Sequence, residues 1–257
     1  MNLDRRDGRP LRIGHRGAAA IAPENTLAAF RTAVTHGVDL VELDVVDLPG
    51  GPLLVAHSLD LAELTHGSLH GDASTLTLAE LRDLVPGLPT FAEALDFFAT
   101  EASAVGLHVD LKLGTRLDEL VDAIVTHGLE HRALLTSPIA ADLVAVRNLC
   151  PELSVALTYP ADRPSISRRP YLHPVITFVL YVMRATLPFR LVRLARAADA
   201  QAVTLQYRVI GRRTVLAAHR SGLRVIAWTA DDPAEIRRLE RIGVDGIVSN
   251  DPRLVRP

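Results

Sequence analysis

Residues 13–57 read IGHRGAAAIAPENTLAAFRTAVTHGVDLVELDVVDLPGGPLLVAH. The apolar run Leu11 to Gly14 leads straight into His15 and Arg16, which places both at the carboxyl end of a strand. Asn25 or Thr26 then caps a predicted helix that runs to about His36 and ends at Gly37. A second apolar run, Leu40 to Val45, carries Glu42 and Asp44 two residues apart, so both side chains face one side of that strand. Pro49-Gly50-Gly51 turns the chain back into Leu53 to Ala56, a small hairpin that delivers His57 at its end.

Outward from this stretch the same unit repeats. After a polar excursion at 58–88, with a helical pattern at Leu78 to Val85, a helix starts at Pro89-Thr90 and runs to about Ala104. The strand Leu107 to Leu111 follows, carrying Asp110 and leading into Lys112. Helices near 116–127, 139–149, 211–221 and 233–242 alternate with strands Ala133 to Thr136, Leu153 to Leu157, Ala202 to Leu205, Arg224 to Thr229 and Gly246 to Val248. Eight parallel-type strands separated by helices predict an α/β fold, a (β/α)8 TIM barrel, with a small hairpin and insertion after the second strand. The competing open doubly wound sheet needs a G-x-G-x-x-G turn after its first strand, and the chain has none.

Length agrees with one barrel: 257 residues match the roughly 250 that a closed α/β barrel takes, so 1–257 is expected to be a single domain. Hydrophobic residues make up 48% of the chain and aromatic ones 4%, so Ala, Val and Leu must fill the core, as parallel strands buried on both faces require. The formal charge of −2 offers no global attraction to nucleic acid. A lone cysteine, Cys150, excludes an internal disulfide framework, and the first ten residues lack the apolar core of a secretory signal. Both favour a cytoplasmic protein.

In such a barrel the carboxyl ends of the strands converge on one mouth. That gathers His15, Arg16, Glu42, Asp44, Asp110 and Lys112. Clustered carboxylates need compensating positive charge, and a hard divalent cation with oxygen ligands, Mg2+ or Ca2+, supplies it compactly. Arg16 and Lys112 suit a phosphate oxyanion, one as a fork and the other as a point charge. Together with two histidines this chemistry points to cleavage of a small phosphate ester.

These residues also carry a family likeness. H-R-G followed by P-E-N-T, then E-L-D, L-L-V-A-H, L-P-T-F-A-E-A-L at 88–95, V-D-L-K at 109–112, A-W-T-A-D-D-P and G-V-D-G-I-V-S-N-D-P resemble the ordered motifs of the glycerophosphodiester phosphodiesterases. The resemblance implies a metal-dependent barrel that splits a glycerophosphodiester into glycerol 3-phosphate and an alcohol. It implies Glu42, Asp44 and Asp110 as metal ligands and His15 and His57 as general base and acid. It also implies attack by the substrate's own glycerol 2-hydroxyl through a cyclic phosphate. Two positions depart from the pattern: Ser58 stands where Asp usually follows the second histidine, and Asp110 where the third ligand is usually Glu.

Other readings stand beside this one. Glu24 either contributes to substrate binding or holds the loop before the first helix. Trp228, the single tryptophan, serves as pocket wall for the substrate or as core. The helical segment within 160–198 contains an apolar run, Pro174 to Met183, too short to span a bilayer, which needs about 20 residues. Arginines at 168, 169, 184, 190, 193 and 196 flank it. They either snorkel outward from an ordinary barrel helix or make 168–196 a peripheral membrane contact. A lysophospholipase D-like enzyme and a catalytically lapsed phosphate-ligand binding protein are the alternative functions, and the sequence leaves the oligomeric state open.

Overall fold

The computed structural model describes residues 1–161 and 173–256, with side chains at the start of the last long helix described from Thr177 onward. Arg168 and Arg169 lie outside the described residues. In chain order the strands are β1 (Leu11–Gly14), β2 (Leu40–Asp47), β3 (Leu53–Val55), β4 (Gly106–Leu111), β5 (Ala133–Ser137), β6 (Ser154–Tyr159), β7 (Ala202–Gln206), β8 (Arg224–Trp228) and β9 (Gly246–Ser249). All but β3 pair in parallel, and β1 bonds to both β9 and β2, so eight strands close into a TIM barrel. β3 lies outside it, antiparallel to β2 with Val45 opposite Val55, which makes the hairpin expected from Pro49-Gly50-Gly51.

The helices are α1 (Leu27–Thr35), α2 (Leu61–Leu64), α3 (Leu78–Leu84), α4 (Phe91–Thr100), α5 (Leu117–Thr126), α6 (Ala140–Leu149), α7 (His173–Ala197), α8 (Arg212–His219) and α9 (Pro233–Ile242). Local chemistry explains their starts. Thr77 with Glu80 and Thr90 with Glu93 form capping boxes, each satisfying the free amides of the first turn reciprocally. α4 is shorter than its apolar spacing predicts, and the polar excursion contains α2 as well as α3. The sequence predicts a long helical region from about 175 to 198 that Pro188 should break or kink; α7 runs unbroken from His173 to Ala197 with the proline inside it. Leu187 and Leu191, fully buried on either side, hold that turn against the barrel, which offsets the hydrogen bond a proline forfeits.

Apolar residues pack in three places. Phe30, Phe97 and Phe98 lead the shell between strands and helices, with the Phe97 and Phe98 rings edge to face at 5.2 Å. Leu11, Ile13, Leu40, Leu134, Ala202, Ile226 and Val248 fill the barrel interior, with Leu3 from the N-terminus joining them. A third cluster, Leu48, Leu54, Leu81 and Leu88 among its members, fastens the excursion to the hairpin. Among the described residues no helix is long and apolar enough to cross a membrane.

Candidate active site

Register places the carboxylates. Asp44 on β2 stands opposite Asp110 on β4, and Glu42 stands opposite His108. Candidate ligand oxygens of Glu42, Asp44 and Asp110 lie within 4.8 Å of one another. Asp44 is held on several sides. Arg16 Nε lies 2.9 Å from its Oδ2 and Lys112 Nζ 3.4 Å from its Oδ1. Asn25 Nδ2 donates to Oδ2 at 3.0 Å, while the Asp44 amide donates to Asn25 Oδ1 at 3.2 Å. Lys112 is closer to Asp110, 2.7 Å from its Oδ2, and Thr136 Oγ1 donates to Asp110 Oδ1 at 3.0 Å.

The loop after β1 is shaped for these contacts. Arg16 at φ 48° and Asn25 at φ 55° both occupy the left-handed region, which disfavours a side chain by roughly 1–2 kcal/mol per residue. Both point into the carboxylate cluster. The Arg16 amide donates to Glu42 Oε2 at 2.7 Å, and its Nη1 donates to Glu24 Oε1 at 2.8 Å. Gly17 between them must be glycine: at φ 88° a Cβ would meet the Ala29 carbonyl carbon at 2.6 Å. Thr26 supplies the cap of α1, accepting from the Ala29 amide at 3.2 Å.

Each histidine has a fixed second partner. Asn250 Nδ2 donates to Asp231 Oδ2 at 2.6 Å, which leaves Asn250 Oδ1 to accept from His15 Nδ1 at 2.7 Å. His15 therefore carries its proton on Nδ1 and turns Nε2 toward Glu42 Oε2, 4.0 Å away. His57 Nδ1 lies 2.9 Å from Glu63 Oε2, and Ser58 Oγ donates to that same oxygen at 2.6 Å. The neighbour missing at position 58 is thus supplied from α2, five residues along the chain.

Electrostatics sorts the groups. Burial alone would raise the Asp44 carboxyl, but Arg16, Lys112, His57 and Asn25 hold it down at about 2. Glu42 moves the other way: burial, then the adjacent Asp44 and Asp110, push it well above the ordinary carboxylate range. Asp110 is also raised, by burial and Asp44 against the pull of Lys112. Burial and then Arg16 lower His15, which keeps it neutral. Four carboxylates counting Glu24 face two cations, Arg16 and Lys112, so the site has room for two further positive charges. A hard divalent cation fits this oxygen set and would reverse the pressure that raises Glu42.

A cavity of about 470 Å3 opens over this cluster, walled by His15, Arg16, Glu42, Asp44, His57, Asp110, Lys112 and Trp228. Trp228 ends β8 with its Nε1 buried and unpartnered. Glu24 is absent from these walls; its carboxylate serves Arg16 and borders a second cavity beyond His57. Sequence reasoning missed four participants. Asn250 lies inside the S-N-D-P motif and Asp231 inside A-D-D-P, so a signal existed for both. Glu63 and His108 gave none. His108 forms buried floor, held by burial and the neighbouring His15 at a pKa of about 3, with Nε2 3.1 Å from Thr136 Oγ1.

Comparison with known proteins agrees with this geometry. The chain is 27% identical over 256 residues to a glycerophosphodiester phosphodiesterase of Caldanaerobacter subterraneus subsp. tengcongensis, covering 93% of each. It is 28% identical over 260 residues to one of Arabidopsis thaliana, covering 95% of this chain and 72% of the relative. An Oleispira antarctica phosphodiesterase solved with its product sn-glycerol-3-phosphate shares the fold, with a TM-score of 0.72 at 23% identity over 96% of this chain and 95% of that one. Residues 15–254 match the model of the Glycerophosphoryl diester phosphodiesterase family. The chain belongs to that family.

Proposed function

We propose that this protein hydrolyses glycerophosphodiesters to glycerol 3-phosphate and an alcohol, with His15 as general base and His57 as general acid. The observation that carries the reading is the orientation of His15. With Nδ1–H fixed on Asn250, its Nε2 faces the carboxylate cluster in neutral form, ready to accept a proton. The relative from Oleispira antarctica, solved with sn-glycerol-3-phosphate, supports the product class.

In this reading the glycerol 2-hydroxyl oxygen attacks phosphorus, and its proton passes to His15 Nε2. The P–O bond to the leaving alcohol breaks, and His57 gives that oxygen a proton from Nε2, its Nδ1 being held by Glu63. Water then opens the cyclic phosphate, with the two histidines exchanging roles and returning to their starting protonation. Arg16 and Lys112 bind the phosphoryl oxygens, and Trp228 walls the bound substrate. Glu42, Asp44 and Asp110 would hold a divalent ion, Mg2+ or Ca2+, whose chemistry is to neutralise phosphoryl charge. Asp110 reaches less far than a glutamate, and Lys112, 2.7 Å away, keeps its carboxylate aimed into the cluster.

The test is glycerol 3-phosphate release from glycerophosphocholine, measured with each metal in turn. His15→Ala should abolish it, and retained turnover in that variant removes the assigned role. Binding of glycerol 3-phosphate without turnover under every metal would favour a lapsed binding protein instead.

A further inference from the structure

α7 is disproportionate. At 1.5 Å per residue its 25 residues span about 37 Å, whereas the 10-residue α5, α6 and α9 span about 15 Å. Because β6 and β7 are parallel, α7 descends from the carboxyl-end face, where the cavity opens, to the start of β7. Arg184 marks the level of the rim, since its side chain lies against Gly211 at the start of α8. From Leu187 onward the helix packs on the barrel through Leu187, Leu191 and Ala195. From Thr177 to Thr186 no residue is buried, and only Leu180 and Met183 are half-buried. Of this stretch only Leu180 and Met183 rest on the core, and the other side chains lie open at the rim beside the mouth.

What it exposes is unusual. Phe178 is 66% exposed, Tyr181 71% and Phe189 85%, with Val182 at 41%. With Ala185 these positions follow i, i+3, i+4, i+7, i+11, so they form one stripe along the face opposite Leu187 and Leu191. The surroundings are basic. Four arginines stand at this end of the barrel, although the chain's formal charge is −2. Arg184, Arg208, Arg212 and Arg213 are exposed along the rim beside the stripe.

We propose that this arm docks the protein on an anionic bilayer, aromatic stripe inserted and rim arginines on the headgroups, so that the mouth receives a phosphodiester bearing one acyl chain. Exposed aromatic rings bordered by arginines suit a bilayer interface, where the rings sit at headgroup level and the guanidinium groups meet anionic lipid. A second copy of the chain is a poorer occupant, because a two-fold contact would bring the same arginines against one another. The substrate half of the proposal rests on the phosphodiesterase reading; the docking half does not.

The full-length protein is sedimented with vesicles of phosphatidylcholine alone or with 30% phosphatidylglycerol. Binding should be about tenfold stronger to the anionic vesicles and should be lost in high salt. Phe178→Ser/Tyr181→Ser/Phe189→Ser should lower it about tenfold, as should Arg208→Glu/Arg212→Glu. The aromatic variant should cleave glycerophosphocholine at the wild-type rate while losing most turnover of lysophosphatidylglycerol held in vesicles. Equal binding by wild type and variants overturns the docking surface, as does a dimer that those variants dissociate. Unchanged turnover of vesicle-held lysolipid by a variant that no longer binds overturns the substrate class. Wild-type protein that binds vesicles yet cleaves neither substrate sinks the phosphodiesterase reading and leaves the docking surface standing.

Discussion

Replacing Glu63 by alanine probes the least familiar part of the site. Its Oε2 is 2.9 Å from His57 Nδ1, with the two side chains 21% and 15% exposed. A hydrogen bond to a charged group contributes about 1.5–3 kcal/mol when shielded, and partial exposure favours the lower half of that range. At 1.36 kcal/mol per decade this corresponds to about a 10- to 45-fold loss in kcat. KM should change little, since Glu63 lies on the side of His57 away from the carboxylate cluster. Glu63→Gln keeps an acceptor and should lose less. The discriminating variant is Glu63→Ala/Ser58→Asp, which returns a carboxylate to the position next to His57 and should recover part of the rate. The assay is steady-state glycerophosphocholine turnover, with melting temperature as a control for folding. A Glu63→Ala enzyme within twofold of wild type would refute the role. So would a loss that adding Ser58→Asp leaves untouched while the fold is intact.

Three further outcomes follow from the site. Burial and Arg16 lower His15 from its ordinary 6.5, and in the proposed mechanism the neutral ring is the base. Activity therefore rises with pH through a value below 6.5, which a kcat/KM profile reads directly; an acid limb above 6.5 contradicts the assignment. Asn250→Ala frees the His15 tautomer, and loss of such an orienting partner costs about 10- to 100-fold. Glycerol 3-phosphate release should fall by that factor with the fold unchanged in circular dichroism. Saturating Mg2+ or Ca2+ at about 100 times its dissociation constant should stabilise the protein by about 2.7 kcal/mol, seen as a higher melting temperature. Asp44→Asn should erase that rise, and a rise that survives it places the ion elsewhere.

Legibility in the sequence followed the range of the interaction. The barrel was readable because each strand carries its own apolar run and several helices a local cap, as Leu40 to Val45 and Thr90 with Glu93 show. Glu42, Asp44 and Asp110 were readable because side-chain alternation along a buried strand is a local rule. Glu63 was not, because its pairing depends on how α2 packs across the end of β3, and nothing in A-E-L-T marks one glutamate as the partner of His57. The fate of α7 at Pro188 was hidden for the same reason: burial of Leu187 and Leu191 against distant strands outweighs a local helix breaker.

The same contrast bears on the two departures from the family pattern. Each alters one side chain, and each has a compensating contact from another element. Ser58 has no carboxylate, yet its hydroxyl donates to Glu63, so serine helps fix the group that replaces the absent aspartate. Asp110 is one methylene shorter than glutamate, yet Thr136 on β5 and Lys112 grip both of its oxygens. Thr136 lies opposite Asp110 in the strand register, so that grip is built into the sheet and needs no loop to form it. His57 depends on α2, a single helical turn in the excursion, whereas the carboxylates sit on the barrel strands β2 and β4. Perturbing the excursion should therefore weaken proton transfer while leaving cation binding intact. Comparing Glu63→Ala in the kcat assay with Glu63→Ala in the metal-melting assay separates the two. A variant that loses the metal-induced rise in melting temperature along with its rate would show the two to be coupled and the division wrong.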